Sequence, residues 1–481
     1  MKRSAPPTLT RAATGGALWM GGSLSLQVLI GLVAQVILAA ILTAHDFGLF
    51  ALVISTSYLL SSVGNFGIRT LLAQRTVEEI AALRRPLFRA GLVAATLAGL
   101  ALVALSPVVA DLLDEPELTG LMLVAASTFI LKPYTAVLIA TCQARLQFAR
   151  VAAALLAATI AHYCVAIVLA KAGKGALSLV AGLQVNAVVL VLVLWAMSRR
   201  DPPVPVAENV TTLRAAALAG WPLAGEVAMD ARLDYLMIGV FASTEVVGYY
   251  HFAFILVQRL NELLMGIARN VLFPTLSRMG ANADRQSIGV LRAGPVLIGV
   301  GAAAAAGLIA TMFAIEEILW GGRWEAAVPA MLLLASAAPV QAAQSAVEQL
   351  LKARALFRRW TAAMVVRSAG SALAALATVA ILGDDSTATW IAAAVAGFLV
   401  VEALVEVLVL APGLGIPPVR YWRSTLPIWV VLVAAGWGVA WLASGWSLGP
   451  WAAALASAGL VGGLIVVVGL GMWRLGLFAR R

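Results

Sequence analysis

The chain is written as a succession of apolar stretches, each about 20 residues long, the length a helix needs to cross the hydrocarbon core of a bilayer. They fall near 15–42, 49–68, 87–110, 118–141, 151–170, 176–198, 215–241, 248–272, 288–314, 326–350, 360–382, 389–411, 425–444 and 450–472, fourteen in all. No polar block between them is long enough for a soluble domain. Of the 481 residues, 62% are hydrophobic and 12% charged, against about half and about a quarter in a soluble domain. Backbone polar groups find no water in hydrocarbon, so spans of this length must be helices. The expected fold is an all-α polytopic membrane protein with about 14 transmembrane helices. The leader "MKRSAPPTLTR" resembles a signal-peptide n-region, but the apolar stretch after it is far longer than the roughly 7–15 residues of an h-region. It reads as an uncleaved first span.

The net charge of +10 invites a nucleic-acid reading that its distribution removes. With the N-terminus placed in the cytoplasm, 26 of the 33 Lys and Arg fall on the cytoplasmic side with five acids, giving +21 there. Three basic and eleven acidic residues fall on the other side, giving −8, and "DLLDEPE" at 111–117 supplies four of those acids. A Lys/Arg bias in short loops sets membrane orientation, so both termini are expected in the cytoplasm, with no nucleic-acid partner. Cys142 and Cys164 sit on different helices with no disulfide or metal spacing and read as buried thiols.

The sequence also repeats itself. "HDFGLF" at 45–50 and "EVVGYY" at 245–250 each place an acid ahead of a glycine and an aromatic two residues after it, 200 residues apart. Arg69 and Arg269 keep that offset, and "ARLQFAR" at 144–150 matches "ARALFRR" at 353–359 at an offset of 209. Six spans separate the copies, an even number, so both halves share an orientation. Parallel repeats of this kind are related by an axis along the membrane normal, with the substrate site between them. The expected organisation is an N-terminal six-helix lobe at 1–198, a Pro-rich cytoplasmic linker at 199–214, a second six-helix lobe at 215–411, and two final helices with a tail at 412–481. The paired glycines are expected to make tight external turns. Phe50 and Tyr250 are expected as interfacial anchors, and His251 beside Tyr250 as interfacial too.

"LTAHDFGLFALVISTSYLLSSVGNFGI", "RLDYLMIGVFASTEVVGYYHFAF" and "VLFPTLSRM" resemble the first-lobe start, second-lobe start and eighth-helix end of polysaccharide and O-antigen flippases. These belong to the multidrug/oligosaccharidyl-lipid/polysaccharide exporter superfamily. The resemblance implies translocation of a polyprenyl-pyrophosphate-linked oligosaccharide across the bacterial cytoplasmic membrane by alternating access, for exopolysaccharide or O-antigen-type (lipopolysaccharide) export. The implied partners are that lipid-linked oligosaccharide, membrane lipids, and a glycan polymerase or other polysaccharide-assembly proteins. A multidrug/cation antiporter of the same superfamily is the alternative, favoured by acids and disfavoured by mid-span cations.

Charged side chains at bilayer depth are expensive and normally face a cavity or a partner. Lys132, Arg259 and Arg232 are therefore the candidates for holding anionic head-group oxygens, with intramembrane salt bridges as the other reading. Pro133 is expected to bend the helix at Lys132, and Glu262 lies three residues from Arg259, within pairing reach. Glu226, Asp230 and Asp234 are spaced four apart on one helical stripe. They are candidates for cation coupling, or for partnering Arg232 or Arg259, and Asp234 most resembles the family's second-lobe aspartate. Arg367 reads as a structural, snorkelling cation, and Glu348, Glu402 and Glu406 as solvated helix ends. No nucleophile–base arrangement, ligand-spaced histidine or phosphate-binding Gly-Lys loop is present, so neither an enzyme, a metal nor a cofactor is expected.

Overall fold

The computed structural model describes residues 9–65, 77–199, 201, 233–267, 272–279, 282–385, 387–446 and 448–474. Among these, every regular element is helical, and eleven helices are long and apolar enough to cross a membrane. Ala44–Leu60 is a shorter apolar helix. Most of the expected window at 215–241 lies outside the described residues, so the count of fourteen is matched only in part.

The described chain falls into two compact units, Met1–Arg232 and Leu233–Arg481. The first contains α1 (Leu9–Ile41), α2 (Ala44–Asn65), α3 (Val77–Leu112), α4 (Glu117–Ala126), α5 (Leu131–Ala144), α6 (Phe148–Lys171) and α7 (Ala176–Ser198). Here α6 packs on α7 and α1, while α2 packs on α3 and α4. The second contains α8 (Leu233–Phe241), α9 (Thr244–Ile267), α10 (Phe273–Arg278), α11 (Ala283–Trp320), α12 (Val328–Ala353), α13 (Phe357–Leu382), α14 (Ala388–Leu410), α15 (Pro418–Ser444) and α16 (Pro450–Arg474). Its core is α12, wedged between α11 and α14, with α15 and α16 packed on α11. The final two helices therefore belong to the second unit. Apolar side chains left on its outside, such as Trp441, Leu455 and Val467, suit a hydrocarbon solvent.

Most of the expected linker, 202–214, lies outside the described residues. Its neighbour Asp201 is held by Arg150 (2.8 Å) and Arg145 (3.1 Å). The Arg150 hydrogen bond, aided by the charges of both arginines, keeps the Asp201 carboxyl below its ordinary range. A depressed carboxylate stabilises the fold above its unfolded pKa and loses that contribution as pH falls. The tie therefore holds at neutral pH.

The first repeat element differs from expectation in how its turn is made. Gly48 and Gly248 lie just past the first turns of α2 and α9, within the helices, and neither has a positive φ. The turn is made by helix caps 200 residues apart. Thr43 donates from N and Oγ1 to Asp46 Oδ2 (2.9 and 2.8 Å), and Asp46 N donates back to Thr43 Oγ1 (3.2 Å). Ser243 Oγ accepts from Val246 N (3.3 Å). Side-chain capping of otherwise unpaired N–H groups is what lets a helix start directly after another ends. The aromatics are not interfacial: Phe50 is 9% and Tyr250 0% exposed, and His251 is buried as well. Cys142 is buried as expected, but Cys164 is exposed on α6.

The second repeat element is reproduced bond for bond. Leu146 and Ala355 take left-handed φ values of 57° and 55°. Gln147 N donates to Cys142 O (2.8 Å) as Leu356 N donates to Leu351 O (2.8 Å). Leu146 N to Gln143 O and Ala355 N to Lys352 O, each three residues apart in sequence, complete the same helix-ending motif. A residue with a Cβ is strained there. Ala355→Gly is expected to raise the thermal unfolding temperature of the detergent-purified protein, through a gain of about 1 kcal/mol or less. The same change at Ala338, in the interior of α12, is expected to lower it.

Candidate functional site

Lys132 lies at a break in its span. Helix α4 stops at Ala126, and residues 127–130 run through tighter turns in which Phe129 N donates to Ala126 O (3.1 Å) and Lys132 N to Phe129 O (3.2 Å). Pro133 has no N–H to give Phe129 O, and its ring crowds that carbonyl. The expected bend is therefore a full interruption, placed one turn before the proline. It sets the Lys132 ammonium over the Phe129 ring at 4.6 Å, with the Tyr58 ring of α2 at 6.0 Å. Aromatic faces hold a cation without neutralising it.

Arg259, on α9, pairs with Glu262 at 2.9 Å, both half-buried, as the spacing allowed. Asp234, at the start of α8, is 5% exposed and accepts a hydrogen bond from Tyr250 Oη at 3.1 Å. Tyr235 stacks edge-on with both Tyr250 and His251. Arg232, Asp230 and Glu226 lie outside the described residues, so the acidic stripe is represented by Asp234 alone.

The largest departure from expectation is at Arg367. Arg367 on α13 does not snorkel. Its guanidinium meets Glu348 of α12 at 2.7 Å, and Glu402 and Glu406 of α14 at 3.2 and 3.1 Å. Gln344 of α12, fully buried, donates from Nε2 to both Glu402 and Glu406. The three glutamates are 7% exposed or less, so none is a solvated helix end. Arg420 and Arg423, the neighbours that suggested solvation, are exposed on α15. The signal in the sequence was the repeated spacing of four, Gln344–Glu348 and Glu402–Glu406. It puts each pair on one helical face, and both faces turn inward toward Arg367.

A broken span carrying a lysine, together with buried ionic groups on helices long enough to cross a bilayer, defines a multi-pass membrane protein with polar machinery inside its helical units. The structure is similar to that of lipid II flippase MurJ in an inward closed conformation, with a TM-score of 0.70 over 95% of this chain and 99% of that one at 12% identity. That likeness is one of fold. The chain belongs to the polysaccharide biosynthesis protein family, whose sequence profile matches residues 37–329. It is 23% identical over 355 residues to the lipopolysaccharide biosynthesis protein WzxC of Escherichia coli K12, covering 72% of this chain and 71% of that one. It is 26% identical over 331 residues to the succinoglycan biosynthesis transport protein ExoT of Rhizobium meliloti, covering 68% and 66%. The family and the helical membrane fold are thus as the sequence motifs implied.

Proposed function

We propose that this protein moves a polyprenyl-pyrophosphate-linked oligosaccharide across the bacterial cytoplasmic membrane by alternating access, as one step in building an exported glycan. The observation that carries this reading is the family match, in a chain whose fold is that of a lipid II flippase. Such a substrate has a polar head that hydrocarbon rejects and a tail that it accepts. The protein's task is to give the head a polar path while the tail stays in lipid. Two parallel six-helix lobes at 1–198 and 215–411, joined by the 199–214 linker, would supply the alternating access, with both termini in the cytoplasm. Lys132, Arg259 and Arg232 would hold the pyrophosphate, and Asp234, Asp230 and Glu226 would be available to a coupling cation. The glycan then passes to a polymerase or other assembly proteins outside. No step needs a covalent intermediate or a cofactor.

Lys132→Ala and Arg259→Ala, combined in one protein and expressed in a strain lacking the native copy, are expected to cut surface glycan while membrane levels hold. Each loses a cation that water would otherwise have to replace in a low-dielectric site. Full glycan output from well-expressed double variants would remove both residues from the site.

A further inference from the structure

The last three helices of the repeat occur twice in register. Helix ends Ala144 and Ala353, and helix starts Phe148 and Phe357, are offset by 209 residues, while α7 and α14, each 23 residues long, are offset by 212. In that register Glu348 falls on Ile139, Arg367 on Ala158, Glu402 on Leu190 and Glu406 on Leu194. All four first-unit residues belong to one buried apolar cluster. The same three-helix arrangement therefore packs without any charge. Replacing a buried ion cluster by matched apolar side chains is often neutral or stabilising, so packing does not account for the charges in the second unit.

The cluster is also out of balance. Three carboxyls share one guanidinium, and Gln344 adds a donor but no charge. Glu406 Oε1 and Gln344 Oε1 are buried without hydrogen-bond partners. Crowded carboxylates in a desolvated site cannot all stay ionised without a further positive charge. Among the described residues no three acidic, histidine or cysteine side chains are placed to hold a metal ion. A proton is a positive charge small enough to fit among the three carboxyls beside Arg367. Glu406 is four residues from the end of α14, about 6 Å along the helix, which gives the proton a short way in.

We propose that the Arg367 cluster is a proton-binding site, with Glu406 the carboxyl that takes up and releases the proton and Arg367 the fixed counter-charge. The proton comes from and returns to water, and no other bond changes. Other charged and titratable groups lie on the elements around α14. Helix α12 also carries Lys352, over the Trp360 ring at 4.1 Å, and α13 carries Arg358 and Arg359, the latter beside Gly413. Helix α9 carries Glu245 in its first turn, then Tyr249, Tyr250, His251 and the paired Arg259 and Glu262. Helix α15 carries exposed Arg420 and Arg423, and Tyr421, which donates to Ala343 O. Glu325 lies in the single turn before α12. None of these makes an ion pair with Glu406 in the structure. Proton binding stands by itself; its use to drive transport rests on the proposed function.

The test has two arms. In infrared difference spectra of the full-length protein in lipid nanodiscs, stepped from about pH 9 to about pH 5, a protonated-carboxyl band is expected to grow. It should vanish in Glu406→Gln and persist in Glu317→Gln, which alters an exposed acid. A band unchanged by Glu406→Gln, or absent from the wild type, overturns the site. The second arm transplants the first unit's apolar residues as E348I/R367A/E402L/E406L. This variant is expected to reach wild-type membrane levels and lose most of its surface-glycan output. Unchanged output with an unchanged pH profile overturns the coupling, and failure to accumulate overturns the premise that the fold does without these charges. If even the wild-type protein supports no glycan export, the transport reading fails while the infrared result stands.

Discussion

Arg367→Met is expected to lower the stability of the second unit by about 3–5 kcal/mol, the range for removing one partner of a buried ion pair. The loss comes less from the missing contacts than from what is left behind. Glu348, Glu402 and Glu406 would face one another within the bundle with only the Gln344 amide between them. Methionine matches the length of the arginine stem and fills the space, so the effect isolates charge from volume. Size-exclusion profiles and thermal unfolding in detergent report it directly. Neutralising the acids together with Arg367 should restore most of the loss, because no lone charge then remains. A single Arg367→Met variant as stable as the wild type would mean that the cluster is solvated in the membrane.

Trp324→Ala is expected to destabilise the same unit by about 3–5 kcal/mol, the usual cost of truncating a buried indole. Trp324 is fully buried. Its ring lies 4.0 Å from that of Phe252 and meets Tyr249 edge-on at 5.9 Å, both on α9. Its backbone N–H donates to Glu316 Oε1 of α11 at 2.8 Å. One side chain thus fastens the connection between α11 and α12 onto α9, and a cavity there has rigid helices on its sides and cannot collapse. Trp441→Ala is the control. That ring is 76% exposed on α15, and its loss should shift thermal unfolding by little, about 0.5 kcal/mol or less.

The helical membrane fold was legible because it follows from lengths and periods: apolar stretches long enough to cross a bilayer become helices. "ARLQFAR" and "ARALFRR" predicted a shared local structure because a left-handed helix end is fixed by nearby residues alone. The glycine-aromatic hairpins were misread because a glycine close to a turn looks like its cause, whereas Thr43 and Ser243 hold the capping groups. Pro133 announced the break at Lys132, since a proline's effect on the carbonyl four residues back is local. The Arg367 cluster was not legible in the same way. Its members come from three helices, and no local pattern says which face of α12 or α14 another helix will cover. Proximity in sequence to Arg420 and Arg423 pointed the wrong way, because those side chains are exposed on α15 and pair with neither glutamate. Burial belongs to tertiary packing, and only the structure supplies it.

Translocation itself is the most direct measurement. The purified protein in liposomes would receive a lipid-linked oligosaccharide confined to one leaflet, and a membrane-impermeant glycosidase would report its arrival on the other. The expected result is protein-dependent arrival that falls sharply in the Lys132→Ala/Arg259→Ala protein. Arrival at the same rate in protein-free and protein-containing liposomes would contradict it.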